Sequence, residues 1–217
     1  MTTKNSKPLL MRLFNWLKSL RKETNKTHNA MKDLIFIGIQ GSGKGTQAKI
    51  LAEKKGYQIF ETGGALRAIA KEDSALGKDV KEITTRGDLV PNEIVMDIVR
   101  DFVNTKADPL KPIIFDGIPR SEEQRKSLEN LLSELQRDFQ VIHVLLSDEE
   151  AYNRIMKRAD IEGREDDNPE AIKKRITNFY EFTKPLLKPW KEAGKVIEID
   201  GDETIEVVAE NILNAVS

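Results

Sequence analysis

Cysteine is absent from the 217-residue chain, which excludes disulfides and thiolate metal sites. Histidine is scarce as well: His28 and His143 are too few for a histidine-built metal centre. Any resident metal is therefore expected to be a hard cation held by oxygen, and zinc is not expected. Long apolar runs are missing, since no stretch approaches the ~20 residues of a membrane span. A soluble or surface-attached protein follows. Internal repeats and low-complexity segments are also lacking, and the length suits one domain with small insertions or two modest domains, either able to bury a core.

Net charge is close to nil at −1, but it is unevenly spread. Residues 1 to 32 hold eight lysines and arginines against Glu23 alone, a balance of +7, so the remaining 185 residues carry −8. An acidic body argues against nucleic acid as a partner. In the basic arm, Leu10, Leu13, Phe14, Leu17 and Leu20 recur at helical spacing, with Leu9 and Trp16 widening the apolar face and Arg12, Lys18 and Arg21 flanking it. This pattern predicts an amphipathic helix. Three readings stay open: a membrane-surface helix, an organelle-targeting presequence, or a helix packed on its own domain or a partner. Polar residues 22 to 30 read as a linker, so residues 1–30 form an extension and 31–217 the main domain.

From Lys32 onward apolar runs alternate with helical stretches, the pattern of a parallel sheet wrapped by helices. Strands are predicted at 33–38, 57–60, 113–116, 140–146 and 196–199. Five such strands make a doubly wound α/β sheet, whose ligands sit at the carboxyl ends of the strands.

The first strand runs into Gly38-Ile39-Gln40-Gly41-Ser42-Gly43-Lys44-Gly45-Thr46. Glycines let backbone N–H groups face inward, so the loop becomes an anion nest at a helix N-terminus with Lys44 reaching for outer phosphates. A nucleoside triphosphate is the natural ligand. The general phosphate loop has Ser or Thr directly after the lysine, whereas here Gly45 intervenes and the hydroxyl comes at Thr46.

Later segments carry weaker signals of their own. Glu61-Thr62-Gly63-Gly64-Ala65-Leu66-Arg67 opens a helix, with Thr62 a candidate N-cap, and Gly87-Asp88-Leu89-Val90-Pro91-Asn92 reads as a turn with Asn92 capping the next helix. Asp116, in Phe115-Asp116-Gly117-Ile118-Pro119-Arg120, ends an apolar strand, in a chain with a phosphate loop the expected place for a carboxylate associated with Mg²⁺; a plain Asp-Gly turn with a surface arginine is the bland alternative. Arg154 and Arg158 share a helix face, Ala159 to Gly163 read as a short flap, and Arg164, Asp166 and Asp167 follow. Asn168 and Pro169 then start a helix bearing Arg175. Such runs are usually solvated faces, but phosphoryl transfer calls for several planar cations around the migrating group.

Taken in order, the loop GxxGxGKGT, Thr-Gly…Leu-Arg at 62–67, Gly-x-Leu-Val-Pro at 87–91, Asp-Gly-x-Pro-Arg at 116–120 and Arg-x-Asp-Asp at 164–167 resemble the adenylate kinases of the nucleoside monophosphate kinase family, short-lid type. The resemblance covers nearly everything from Met31 onward and accounts for the displaced hydroxyl at Thr46. It implies that Gly41, Ser42, Gly43, Lys44, Gly45 and Thr46 hold the donor ATP, with Arg154, Arg158 and Glu203 also on the donor side and Arg154 stacking on its adenine. On the acceptor side it implies Thr62, Arg67, Leu89, Val90, Gly117, Arg120, Gln124, Arg164 and Arg175, with Thr62 and Gln124 reading the AMP base. Lys44, Arg120, Arg158, Arg164 and Arg175 would carry the charge of the phosphoryl group in flight, and Asp116 would hold Mg²⁺ through water. It further implies an acceptor-binding part near 62–91, a short lid near 158–164, and a cytoplasmic monomer. UMP/CMP kinases are the close alternative, and a slow nucleotide-binding module tethered through the arm is another. Two departures stand out: Gly64 replaces a usual Asp and Gln40 a common proline, so reduced Mg²⁺ affinity or rate is expected.

Overall fold

The computed structural model describes residues 32–162 and 168–217, with Glu162 described in its backbone alone. The arm at 1–30 and the segment with Arg164, Asp166 and Asp167 lie outside the described residues. Five strands, β1 (Asp33–Ile37), β2 (Gln58–Glu61), β3 (Ile113–Asp116), β4 (Phe139–Leu145) and β5 (Val196–Asp200), form one sheet in the order β2-β3-β1-β4-β5. All four pairings are parallel. Each strand falls within one residue of its expected bounds.

Parallel strands require helical crossovers and are covered on both faces, which is why Leu34-Ile35-Phe36-Ile37 is apolar throughout rather than alternating. The alternation appears in where the side chains go. Leu34, Phe36, Ile114, Ile142 and Val144 pack with Ala48 and Leu51 of α1 (Lys44–Lys55) and with Val208 and Ile212 of α9 (Ile205–Ala215). Ile35, Ile37, Phe115 and Val141 enter the opposite core. That core also receives Leu66 of α2 (Thr62–Ile69), Val80 of α3 (Ala75–Thr85), Val95, Met96 and Val99 of α4 (Asn92–Asp101), and Leu128 and Leu132 of α5 (Glu122–Glu134). Phe36 and Phe115 are almost fully buried, each contributing about 1.5–3 kcal/mol of transfer free energy.

The remaining helices are α6 (Asp148–Glu162), α7 (Pro169–Asn178) and the short α8 (Leu187–Glu192). Side-chain oxygens of Ser74, Ser121, Asn168 and Thr204 accept from backbone N–H groups in the first turns of α3, α5, α7 and α9, which relieves donors that a helix start leaves unpaired. Asn168 and Pro169 act as expected. Asn92 does not: the cap of α4 is extended Pro91, and Asn92 is the first helical residue, its amide donating to Glu123 Oε1 at 3.2 Å. Thr62 is likewise the first residue of α2, after Glu61 in the cap position. Ala159 to Glu162, read from sequence as part of a flap, continue α6.

At the amino ends of the strands a buried ion pair fastens the sheet. Arg137 pairs with Asp33, whose Oδ1 also accepts the Ile113 N–H at 2.8 Å, while Arg137 Nη2 donates to Lys111 O at 2.8 Å. The opposite, carboxyl ends carry the chemistry.

Candidate active site

Glycine at position 41 is required on two counts. Its φ is +88°, and a Cβ there would stand 2.7 Å from the Ala151 carbonyl oxygen on α6, so the loop rests directly on the helix that bears Arg154 and Arg158. The loop then enters α1 through Gly43 in the left-handed region, with no side-chain cap and no acidic residue in the first turn. First-turn amides and the helix dipole are thereby left to favour an anion. Gly45 explains why the hydroxyl is displaced: a Cβ at 45 would lie 3.3 Å from Asp116 Oδ2, tighter than ordinary contact. Thr46 stands one place on, in the wall of the cavity.

Lys44 Nζ donates to Gly38 O (2.8 Å), Ile39 O (2.9 Å) and Ser42 Oγ (3.2 Å). Its three donors are all turned onto its own loop. Burial pushes Lys44 down to about 8; the Asp116 carboxylate opposes the shift, and Arg120 and Arg158 reinforce it. For Asp116, burial raises the carboxyl above its usual range, with Lys44 opposing, Glu61 adding to the rise, and Arg120 and Arg67 opposing.

These groups line one cavity of about 350 Å³ at the carboxyl ends of the strands. Its wall brings together Gly41, Gly43, Lys44, Gly45 and Thr46 from the loop, Arg67 from α2, Leu89, Asp116, Gly117 and Arg120, Arg154 and Arg158 from α6, and Arg175 from α7. Arginines separated by more than a hundred residues thus face one space. Arg120 is oriented by Nε donation to Gly117 O at 2.9 Å. Arg175 Nη2 donates to Thr84 O at 3.2 Å, and Arg67 pairs with Glu61 at 2.8 Å. Arg154 pairs with Glu150 and donates to Gly201 O at 3.0 Å, which ties α6 to the turn after β5. Glu203 is exposed in that turn and is not in the cavity wall; the neighbouring Asp202 is the carboxylate near Arg154, at 3.7 Å. Ser42 is buried and reaches the site through Lys44.

A smaller recess adjoins this cavity, sharing Leu89, Gly117, Arg120 and Arg175, and adding Thr62, Val90 and Gln124. Thr62 Oγ1 is buried there with no hydrogen-bond partner among the described residues. Gln124 Oε1 accepts the Arg120 N–H at 2.8 Å, which fixes the amide and leaves its Nε2 without a protein partner among the described residues. Sequence reading assigned no role to Glu61 or Lys49, both in the cavity wall. Glu61 becomes visible only through the sheet, where it is the register neighbour of Asp116.

No group of three or more His, Cys, Asp or Glu side chains placed to hold a metal occurs among the described residues. Glu61 and Asp116 are the carboxylates of the cavity wall.

Comparison with known proteins agrees with this geometry. The family model described as adenylate kinase matches residues 36–195. A protein named adenylate kinase from Leptospira biflexa is 40% identical over 187 residues, spanning 86% of this chain and all of the relative. One of the same name from Parabacteroides distasonis is 36% identical over 188 residues, covering 86% and 98%. Another from Thermus thermophilus is 38% identical over 169 residues, covering 77% and 88%. With a phosphate loop, a ring of arginines and a family match across most of its length, the chain belongs to the adenylate kinase family.

Proposed function

We propose that the protein transfers a phosphoryl group reversibly from ATP to AMP, giving two ADP. The observation that carries the choice of acceptor is the recess beside the arginines. An orphaned buried hydroxyl costs about 1–3 kcal/mol, and Thr62 Oγ1 together with the Gln124 amide offers hydrogen bonds to a purine edge displaying both a donor and an acceptor. Arg120 and Arg175 line both spaces, so a base in the recess carries its phosphate into the larger cavity.

In the reaction an oxygen of the acceptor phosphate forms a bond to the terminal phosphorus of the donor while the bridging oxygen to the departing diphosphate breaks away. Amides of Gly41 to Thr46 cradle the donor phosphates. Lys44 exchanges a loop carbonyl for a phosphate oxygen and, with Arg120, Arg158 and Arg175, meets the spread negative charge. Arg164, outside the described residues, is assigned the same task by family resemblance. No side chain need act as a covalent nucleophile, because positioning and electrostatics supply the rate. The oxygen-rich donor set fits a hard cation such as magnesium, which Asp116 would hold through water. Bound there, magnesium neutralises charge on the polyphosphate.

We assign the acceptor-binding part to residues 62–91 and the lid to residues 158–164. The acceptor-binding part already touches α7, the helix that follows the lid in the chain: Asn178 Nδ2 donates to Gly87 O at 3.0 Å, Asn168 Nδ2 to Thr85 O at 3.2 Å, and Lys174 pairs with Asp88. Closure of α2–α3 against α7 therefore has ready contacts to build on. The same reading has the protein acting as a cytoplasmic monomer. Steady-state assay with AMP, UMP, CMP and GMP as acceptors tests the proposal. AMP is expected to give the highest kcat/KM, and a higher value for UMP or CMP would overturn the assignment of Thr62 and Gln124.

A further inference from the structure

Two carboxylates in the wall of a cavity built for polyphosphate require an explanation. Lys44 and the arginines attract the ligand's charge, whereas Asp116 and Glu61 repel it unless a cation stands between. Glu61 ends β2 and Asp116 ends β3, and the two are register partners on adjacent parallel strands. They therefore point to the same face of the sheet edge. Their charges are coupled, since Glu61 makes ionisation of Asp116 harder. Asp116 is nine-tenths buried, and no hydrogen bond to its carboxylate is found among the described residues, although it lines the cavity.

The Glu61 carboxyl also lies next to Gly64. A Cβ built on Gly64 would meet Glu61 Cδ at 3.4 Å and its two carboxylate oxygens at 3.5 and 3.6 Å. These are ordinary contact distances, so the head of Glu61, reaching over from the end of the strand, lies directly beside the place where a side chain at 64 would start. Arg67 holds it there, with Nη2 at 2.8 Å from Oε1. One oxygen is thus engaged by the Arg67 guanidinium, which keeps the head over the first turn of α2 at Gly63 and Gly64.

We propose that Glu61 is the second carboxylate that positions the divalent cation with the bound nucleotide, acting beside Asp116 and standing in for the side chain that Gly64 lacks. The proposal rests on the phosphoryl-transfer reading above. It also revises the expectation from sequence that the glycine at 64 weakens metal binding, because the charge is relocated rather than lost. Glu61 acts as a positioning residue through the water around the cation. Removing such an outer partner lowers metal affinity about tenfold or more.

The test titrates Mn²⁺ into full-length protein held with saturating ATP, reading bound metal by electron paramagnetic resonance, for the wild type, Glu61→Gln, Asp116→Asn and the double variant Glu61→Ser/Gly64→Asp. Glu61→Gln is expected to weaken enzyme-associated Mn²⁺ about tenfold without weakening ATP binding measured in the absence of metal. The double variant is expected to restore affinity to within about twofold, since it returns a carboxylate to the same space from position 64. A shift in Asp116→Asn with none in Glu61→Gln overturns this inference and leaves the phosphoryl-transfer reading standing. No shift in Asp116→Asn overturns the metal assignment and the inference with it. Thermal unfolding of each variant identifies any loss of folding, and a double variant that is folded but remains tenfold weak contradicts the relocation.

Discussion

Gly41 and Gly43 share a left-handed backbone, with φ of 88° and 86°, but only Gly41 backs onto another element. Comparing alanine at the two positions separates conformational strain from packing. Placing a side-chain-bearing residue in the left-handed region costs about 1–2 kcal/mol, and this is the whole expected effect of Gly43→Ala, whose Cβ would meet nothing within 4 Å. In Gly41→Ala the same strain is joined by a clash with backbone, at 2.7 Å from Ala151 O and 3.0 Å from Ile155 Cγ1, and overpacking of this kind adds about 1–3 kcal/mol. The entropy that alanine removes from the unfolded chain is common to both and cancels in the comparison. For a chain of this size each kcal/mol lowers Tm by about 2–4 °C. Gly41→Ala is therefore expected to melt roughly 2–12 °C below Gly43→Ala, as followed by circular dichroism. Because α6 carries Arg154 and Arg158, Gly41→Ala should also raise KM for ATP. Equal melting temperatures for the two variants would refute the claim that the loop is seated on α6.

Other consequences follow from single groups. Arg137→Ala leaves the buried Asp33 carboxylate without its partner and should cost about 3–5 kcal/mol, read by urea unfolding; a loss below 1 kcal/mol would show that the pair is not a structural lock. Lys44 sits near 8 in the nucleotide-free protein against an ordinary 10.5, so above pH 8 it is largely neutral and a bound triphosphate must draw a proton to recharge it. ATP affinity should thus fall as pH rises through about 8, and calorimetry at pH 8.5 in two buffers of different ionisation enthalpy should report proton uptake; heats independent of buffer would contradict this. If the basic arm is a membrane-surface helix, full-length protein should co-sediment with anionic vesicles while a chain starting at Met31 should not. Equal, negligible pelleting removes that reading.

Much of this was legible in the residues because parallel strands, buried on both faces, appear as unbroken apolar runs and their carboxyl ends are followed by the motifs. Leu34 to Ile37 followed by Gly38 to Thr46 is enough to locate the phosphate loop. The features that escaped are those made through space. Asp33 and Arg137 are 104 residues apart, and nothing local marks them as a pair. Glu61 read only as the residue that opens a helix until the strand order placed it beside Asp116. Asn92 was expected to cap α4, but the helix starts one residue earlier than that reading, with Pro91 in the cap position making no side-chain cap and the Asn92 amide donating to Glu123. Gln124 was expected to read the AMP base, but nothing local showed that its carbonyl also accepts the Arg120 backbone N–H, a commitment that depends on how α5 packs after β3.

In the proposed reaction a donor on the loop and an acceptor on the arginines react directly. Its most direct test is a quenched single-turnover experiment with ATP labelled on the terminal phosphate and equal AMP, UMP and CMP. The account predicts label in ADP ahead of the pyrimidine diphosphates, none on the protein, and a rate lowered by about 10³–10⁵ in Lys44→Met. Label retained on the protein, preference for UMP or CMP, or near-normal transfer by Lys44→Met would contradict it.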